Sequence, residues 1–402
     1  MRPGQGIGCV PMAAGTDPAS GAGRPQRALP VVLGLVALAV PVLVALGLIS
    51  VTVGGPAVLF GAMTAVFPVL PVVAAFLWVD RWEPEPPLLL LAAFLWGAGI
   101  SVLGAALIND AATGIGEHQF GTGGGDVVAA VISAPVVEEA LKGAFLVGLL
   151  CLRRREIDGL VDGVVYAGLV AAGFAFTENI LYFGRTFAVD GRVADVFLIR
   201  GVLSPFAHPV FTGLIGIAVG LVARRRSLAG GVLVHRVGYV VAGYLGAVGL
   251  HALWNASAGL GYLPAVYGVI MVPLFGALIA LVVRQRRREQ RMVSAALPGF
   301  ATAGWIAPTE VPLLASQSGR RGWRAEVRRR SGEGAAGAVH DYQNAVTELA
   351  FLSDRVQRGT ASPDTRRWHH EAIAELMAAR NRAVSVPQAS QGEAAHPKRR
   401  SP

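Results

Sequence analysis

Lysine is nearly missing from this chain. Lys142 and Lys398 are the only two, and every other basic residue is arginine apart from the histidines. Cysteine is equally scarce, with Cys9 in a polar N-terminal arm and Cys151 at the end of an apolar run, so no disulfide framework is expected. Charged residues make up only 15% of the 402 residues against 53% apolar ones, and the mean hydropathy is +0.53. So little charge excludes a soluble two-domain protein and points to a chain that crosses a membrane repeatedly. The net charge of +9 does not imply nucleic acid, because the arginines stand in short clusters beside apolar runs. That placement reads as membrane topology, with the lipid bilayer as the partner. Residues 1–27 have no apolar core and are expected to form a disordered leader, and the first apolar run, without a convincing cleavage site, is read as an anchor.

Eight apolar runs near the roughly 20 residues a bilayer requires lie at 29–50, 56–79, 87–108, 127–151, 160–183, 198–222, 237–257 and 263–283. Arginine alternates across them. Arg24 and Arg27 precede the first run, Arg81 follows the second, Arg153–Arg155 follow the fourth, Arg224–Arg226 and Arg236 follow the sixth, and Arg284 with Arg286–Arg288 follow the eighth. The intervening segments 51–55, 109–126 and 258–262 have no Lys or Arg, and 184–197 has only Arg185 and Arg192. The positive-inside rule then puts both termini in the cytoplasm. The expected fold is an all-α polytopic membrane bundle of about eight helices at 28–285, followed by a cytoplasmic tail at 286–402. Between the second and third runs, Asp80-Arg-Trp-Glu-Pro-Glu-Pro-Pro87 reads as a rigid turn, with Trp78 and Trp82 as interfacial anchors. In the tail, three- and four-residue apolar spacing predicts a helical hairpin at 336–384 around Gly359–Pro363, and the flanks 291–334 and 385–402 are expected to be disordered.

Against this apolar background the fourth run carries Glu138, Glu139 and Lys142. One charge at a membrane helix centre costs about 3 kcal/mol on insertion scales. Lys142 stands at i+4 from Glu138 and i+3 from Glu139, so it can neutralise one carboxylate on a shared face and leave the other for a metal or a proton. Further polar residues follow: Glu178 with Asn179, then His208, and then His251 with Asn255 on one helical face. At 1.5 Å per residue, Glu138 and Glu139 lie about 16 Å below the outer end of their span, Glu178 about 8 Å, His208 about 15 Å and His251 about 9 Å. All five fall in the outer half of the membrane, so one shared site is feasible.

Two chemistries suit this set. Carboxylate and neutral imidazole suit Zn²⁺, with Glu178, His208 and His251 as the ligands beside the Glu138/Glu139 pair. Without metal, a glutamate could activate water while His251 and Asn255 stabilise an oxyanion. Either gives hydrolysis of a carbonyl, most simply a peptide bond. His-Glu-x-x-His and Gly-x-Ser-Gly are absent, as is a Ser/His pair of the intramembrane serine type. Gly123-Gly-Gly-Asp126 has the Gly-x-Gly-Asp pattern of intramembrane aspartyl sites but lies in an outer loop with no matching Tyr-Asp in a span.

Taken together, Asp80-Arg-x-Glu-Pro-Glu-Pro86, Glu138-Glu-x-x-Lys142, Asp162-Gly-x-x-Tyr-x-Gly168, Gly173-Phe-Ala-Phe-Thr-Glu-Asn179, His208 and His251-x-x-Trp-Asn255 resemble the PrsW family of intramembrane proteases. That family is a branch of the group containing CAAX-processing and bacteriocin-processing membrane proteases. The resemblance covers residues 80–257. It implies a bacterial multi-pass membrane protein that makes site-1-type cuts in membrane-anchored protein substrates such as an anti-sigma factor. It also implies a site centred on Glu138 and Glu139, with Glu178, His208 and His251 around it. The related branch has His where this chain has Glu178, so ligand roles do not transfer from it. A proton-coupled transporter using the Glu138/Glu139 pair as a relay is the rival reading, and an inactive protease-like scaffold is another; internal repeats, common in transporters, are not evident.

The arginine alternation makes a direct prediction. Reporter fusions after residues 54, 120, 190 and 260 should report the outside, and fusions after 155, 226 and 290 the cytoplasm. A cytoplasmic signal at 120 would undo both the topology and the common depth of the polar residues.

Overall fold

The computed structural model describes residues 25–81, 84–121, 123–157, 159–189, 191–224, 232–357 and 363–385. Among these residues the fold is helical, with no strand. The membrane part comprises α1 (Pro25–Val53), α2 (Gly55–Val79), α3 (Pro87–Phe120), α4 (124–152), α5 (Leu160–Val189), α6 (Val193–Arg224), α7 (Val232–Gly259) and α8 (Leu263–Thr302). Seven of these are long and apolar enough to cross a membrane by composition alone. The exception, α4, is of spanning length and carries Glu138, Glu139 and Lys142. The eight helices coincide with the eight apolar runs. Trp82 and nearly all of the 1–27 leader lie outside the described residues.

The bundle is built around α5. Its most apolar stretch is 94% buried, against 11% for the peripheral α1, α7 and α8. The reason lies in Gly163, Gly168 and Gly173. A five-residue step rotates about 140° around a helix of 3.6 residues per turn, so the three glycines face three directions. Each meets a different helix. A Cβ on Gly163 would lie 2.1 Å from the carbonyl of Gly216 in α6, one on Gly168 would lie 2.2 Å from the Phe76 ring in α2, and one on Gly173 would lie 2.0 Å from the carbonyl of Phe94 in α3. Backbones approach this closely only where no side chain intervenes.

Prolines shape the helices in a second way. Wide π-helical turns occur at Ala129–Ser133, Leu198–Leu203 and Tyr267–Met271, just before Pro135, Pro205 and Pro273. In each, the last regular donor reaches back five residues: Ala134 to Ala129, Ser204 to Ile199 and Val272 to Tyr267. In each the next residue is proline, with no N–H to give, so a carbonyl one turn back is short of its donor.

The segment between α2 and α3 is pinned by carboxylates. Asp80 Oδ2 accepts the Glu85 backbone N–H at 3.0 Å, and Tyr166 of α5 donates its hydroxyl to Glu85 Oε2 at 2.8 Å. Asp162 Oδ2 accepts the Gly159 N–H at 2.8 Å beside them. Burial pushes the Glu85 carboxyl up to about 10, reinforced by the negative charge of Asp162. Burial likewise raises Asp80 to about 7, although its hydrogen bond from Glu85 opposes the shift.

Beyond the membrane the chain departs from expectation. Residues 291–334, expected to be disordered, are described and largely helical. Helix α8 runs on through its arginines to bury Val293, Leu297 and Phe300, one face at four- and three-residue spacing. These pack with Ile306, Leu314 and Tyr342 in a second apolar core. Helix α9 (Gln317–Gln357), kinked where Gly332 takes φ 84°, and α10 (Pro363–Ser385) complete it. The buried Arg320 donates to the Leu314 carbonyl and to Thr347 Oγ1. High Arg, Ser and Gly content hid this core, because its apolar positions are spread across separate segments. The turn at 358–362 lies outside the described residues.

The carboxyls at 80 and 85 give a pH prediction. An unfolded carboxyl titrates near 4, and both folded values lie above that, so the folded segment holds protons more tightly. The stabilisation is complete at low pH and is lost as pH rises through about 7 for Asp80 and towards about 10 for Glu85. The protection factors of the amides in the 80–86 segment of the detergent-purified chain, which remove the intrinsic base-catalysed rise in exchange, should fall between about pH 5 and pH 9, and Glu85→Gln, still able to accept from Tyr166, should flatten the part of that fall above about pH 7.

Candidate functional site

Helix α4 turns one face inward, with Glu139, Lys142 and Leu146 fully buried and Glu138 nearly so. An ammonium there has no water to solvate it, so protein groups must do so. Lys142 Nζ donates to Glu138 Oε2 at 3.3 Å and to Glu139 Oε1 at 2.9 Å, and lies 3.2 Å from His208 Nδ1. Its fourth side is the Phe174 ring of α5, with the centroid 3.9 Å away.

The ammonium has only protons to offer, so His208 Nδ1 must be the acceptor and Nε2 must carry the ring hydrogen. Nε2 then donates to Glu178 Oε2 of α5 at 2.9 Å. His251 of α7 is oriented in the opposite sense. Its Nδ1 lies 3.1 Å from Glu139 Oε1, and its Nε2 faces Glu138 Oε2 at 3.9 Å. The Phe211 ring stacks on it, centroids 4.8 Å apart. Glu139 Oε2 accepts the Thr212 hydroxyl at 2.8 Å, four residues along α6 from His208. Each imidazole therefore has one nitrogen tied to a carboxylate, buried for Glu139 and part-buried for Glu178, and the other directed inward.

Glu138, His208 and His251 converge. One donor atom from each lies within 4.8 Å of the other two, and theirs is the one such set among the described residues. Glu178 stands outside that trio, behind His208. It is also bound by the Arg200 guanidinium, whose Nε donates to Asn179 Oδ1 at 2.8 Å. Asn255 is directed elsewhere. Its amide donates to the carbonyl of Ala130 at 2.8 Å, the carbonyl that would otherwise pair with the missing N–H of Pro135. Asn255 thus mends α4 where proline interrupts it.

A cleft of about 30 Å³, enough for water, reaches His208 between α2, α5 and the break in α6 at 204–206. Pro68, Val72, Ala175, Asn179, Arg200 and Trp254 line it. Two contributors escaped the sequence analysis. Thr212 was findable from its i+4 spacing to His208, and Arg200 from its place three residues into an apolar run.

A polytopic helical bundle with a buried carboxylate–imidazole cluster and a water-sized opening is the architecture these observations define. Residues 85–303 match the model of the PrsW family intramembrane metalloproteases, and the chain belongs to that family. It is similar to "Protease PrsW" of Clostridioides difficile (strain 630), 28% identical over 153 residues, which are 37% of this chain and 61% of that protein. It is also similar to "Protease PrsW" of Geobacillus kaustophilus (strain HTA426), 30% identical over 35% of this chain and 57% of the relative. The protein of the same name from Bacillus subtilis (strain 168) is 26% identical over 35% of this chain and 59% of its own length. The chain thus spans about three fifths of the length of these curated relatives. No solved structure matches it.

The position of Asn255 separates a positioning role from oxyanion binding. Asn255→Ala should lower the thermal stability of the detergent-purified chain by about 1 kcal/mol, the worth of one hydrogen bond. Any proteolysis should fall much less than the roughly 10²–10³-fold expected on losing an oxyanion donor. A rate loss of that size without a stability change would return Asn255 to the reacting centre.

Proposed function

We propose that this chain is an intramembrane endopeptidase that cuts membrane-anchored protein substrates in the outer half of the bilayer. The site-1-type cleavage associated with the family resemblance, of the kind an anti-sigma factor undergoes, is the substrate reading we adopt. The observation that carries the proposal is the convergence of Glu138, His208 and His251 from three helices, within 4.8 Å of one another and beside the buried Glu139.

Two imidazole nitrogens and a carboxylate oxygen are a donor set that fits zinc. We assign Glu138, His208 and His251 as the residues that would hold it, with Glu178 behind His208 and Glu139 behind His251 as the carboxylates that orient them. When bound, zinc supplies Lewis acidity towards a carbonyl oxygen. Lys142 would have to release His208 Nδ1 for that nitrogen to become a ligand, and it keeps its hydrogen bonds to Glu138 and Glu139 as partners.

The side chains divide the remaining work. Glu139 is saturated by Lys142, Thr212 and His251, so it holds geometry. Glu138 has only the longer contact to Lys142, through Oε2, and faces the centre, so one of its oxygens would hold the metal and the other is the group to take a proton from the attacking water. The cleft beside His208 admits that water, while Phe174 and Phe211 keep the rest of the centre dry.

Glu138→Gln keeps the volume of the side chain and cannot act as a base. Cleavage of co-expressed single-span membrane proteins should fall by about 10²–10⁴-fold, with insertion and detergent stability retained. Chelation should inactivate the wild type, and zinc should restore it. Wild-type turnover by the Gln variant would remove the assigned base, and full activity in a preparation free of stoichiometric transition metal would remove zinc.

A further inference from the structure

We propose that the outward arginine face of α8, formed by Arg284, Arg287, Arg288 and Arg291, binds anionic phospholipid headgroups, and that lipid held there seats the folded tail against the membrane part. From Val272 to Thr302 helix α8 runs without interruption out of the apolar bundle and into the tail core. It keeps two distinct sides along that length. One side carries Val282, Arg286, Glu289, Val293, Leu297 and Phe300, at three- and four-residue spacing. Val282 packs in the membrane core, the Arg286 guanidinium covers the Trp78 ring, and Val293, Leu297 and Phe300 enter the tail core. The other side carries Ala277, Ala280, Arg284, Arg287, Arg288 and Arg291, and all six are exposed.

Nothing in the protein neutralises that second side. Among the described residues none of its four arginines has an ion-pair partner, and Arg291 Nε reaches only the Arg287 carbonyl at 3.2 Å. Glu289, the one acid between 284 and 302, stands on the inward side with Arg286. Guanidiniums stay charged at any working pH, so four of them on one face repel one another unless anions lie between them. The exposed alanines identify the anion. Helix α8 is peripheral, and the stripe that Ala277 and Ala280 open towards lipid continues directly into the arginines. The four span about 10 Å of helix axis, against roughly 5–8 Å for one headgroup layer. Phosphate is the anion at that depth, and a guanidinium fork matches its oxygens. A topological signal needs positive charge but no direction. Here four of the five arginines share the single face that continues the lipid-facing stripe.

The same turns explain the effect on the tail. Segment 284–291 joins the two apolar cores, with the Trp78 contact on its inner side. Headgroup phosphates on its outer side relieve the repulsion within this joint and so favour the packed arrangement, in which Gln317 donates to the Arg81 carbonyl at 3.1 Å.

The test uses the full chain purified in detergent. Phosphatidylglycerol or phosphatidylcholine with the same acyl chains is titrated in mixed micelles, and bound lipid is counted by native mass spectrometry. Phosphatidylglycerol should bind more tightly, each arginine near an anionic surface contributing about a fivefold preference. Arg287→Gln and Arg288→Gln should each lose about that factor, and the corresponding Lys variants should keep most of it. Raising salt from about 0.1 M to 1 M should erase most of the preference, because screening shortens from about 10 Å to 3 Å. Arg286→Gln, on the Trp78 side, and Arg329→Gln, paired with Glu326 in the tail, should change it by less than about twofold. Amide exchange of 311–324 should slow with phosphatidylglycerol and not with phosphatidylcholine. Equal affinity for the two lipids, or an undiminished preference in the folded Arg287→Gln/Arg288→Gln double variant, would overturn the site. Inorganic phosphate slowing exchange as well as phosphatidylglycerol does would make the ligand a free anion and overturn the lipid assignment. Unchanged exchange with lipid bound would overturn the seating of the tail. The double variant leaves Arg284 and Arg291 to hold the topology, and the lipid comparison and salt series on the wild type decide the question if a variant fails to insert.

Discussion

Everything in the membrane part answers to one buried ammonium. Lys142 is fully enclosed, and leaving one partner of such a cluster unpaired costs about 3–5 kcal/mol. Four helices meet that demand. Helix α4 supplies Glu138 and Glu139 one turn back, α6 brings His208, α5 brings Phe174, and α7 orients Glu139 through His251. Counted as ionised, Glu138, Glu139 and Glu178 exceed Lys142 and Arg200 by one negative charge. The imbalance sits where the imidazole nitrogens point, and a low dielectric makes it strongly felt.

The apolar scaffold is arranged so that these helices can reach the lysine. Three glycines on α5 admit the backbones of α6 and α3 and the Phe76 ring of α2, which brings the wall carrying His208 against the face carrying Glu178. Proline acts on the same scale. Pro135 removes a donor from α4 within one turn of Glu138, and the wide turn before it exposes the Ala130 carbonyl that Asn255 takes. Pro205 breaks α6 between Arg200 and His208, so two residues of one helix approach Glu178 from different directions. A continuous α-helix would place those residues about 12 Å apart along its axis.

The two ends of the bundle are held by different physics. Around Lys142 and Arg200, carboxylates meet positive charges. Between α2 and α3, Asp80 and Glu85 are buried with Tyr166 and backbone N–H groups for partners, and burial itself pushes both towards the neutral acid. The helices that follow the membrane part approach this second region. Gln317 donates to the Arg81 carbonyl at 3.1 Å, and the Arg286 guanidinium covers the Trp78 ring at 4.1 Å. The Trp78 face read as an interfacial anchor is thus partly covered by an arginine of α8.

How much of this was legible beforehand follows from the range of each interaction. Spans, their order and the residues to watch are local properties. A run of apolar residues states its own length, and a Glu-Glu-x-x-Lys inside one declares a site because the bilayer makes charge expensive. That Glu138, Glu139, Glu178, His208 and His251 could meet was an expectation from counting residues along each span, and the structure brings Glu138, His208 and His251 within 4.8 Å of one another. Counting could not say which nitrogen of His208 faces inward, that Glu178 stands behind that ring, that Asn255 repairs α4, or that 291–334 folds. Each of those depends on a partner far away in sequence: 30 residues from Glu178 to His208, 22 from Glu178 to Arg200, and 125 from Ala130 to Asn255. Hydropathy and spacing carry the cost of placing a residue in the membrane, but the direction of its hydrogen bonds is decided only when the helices pack and each donor has a single acceptor within reach.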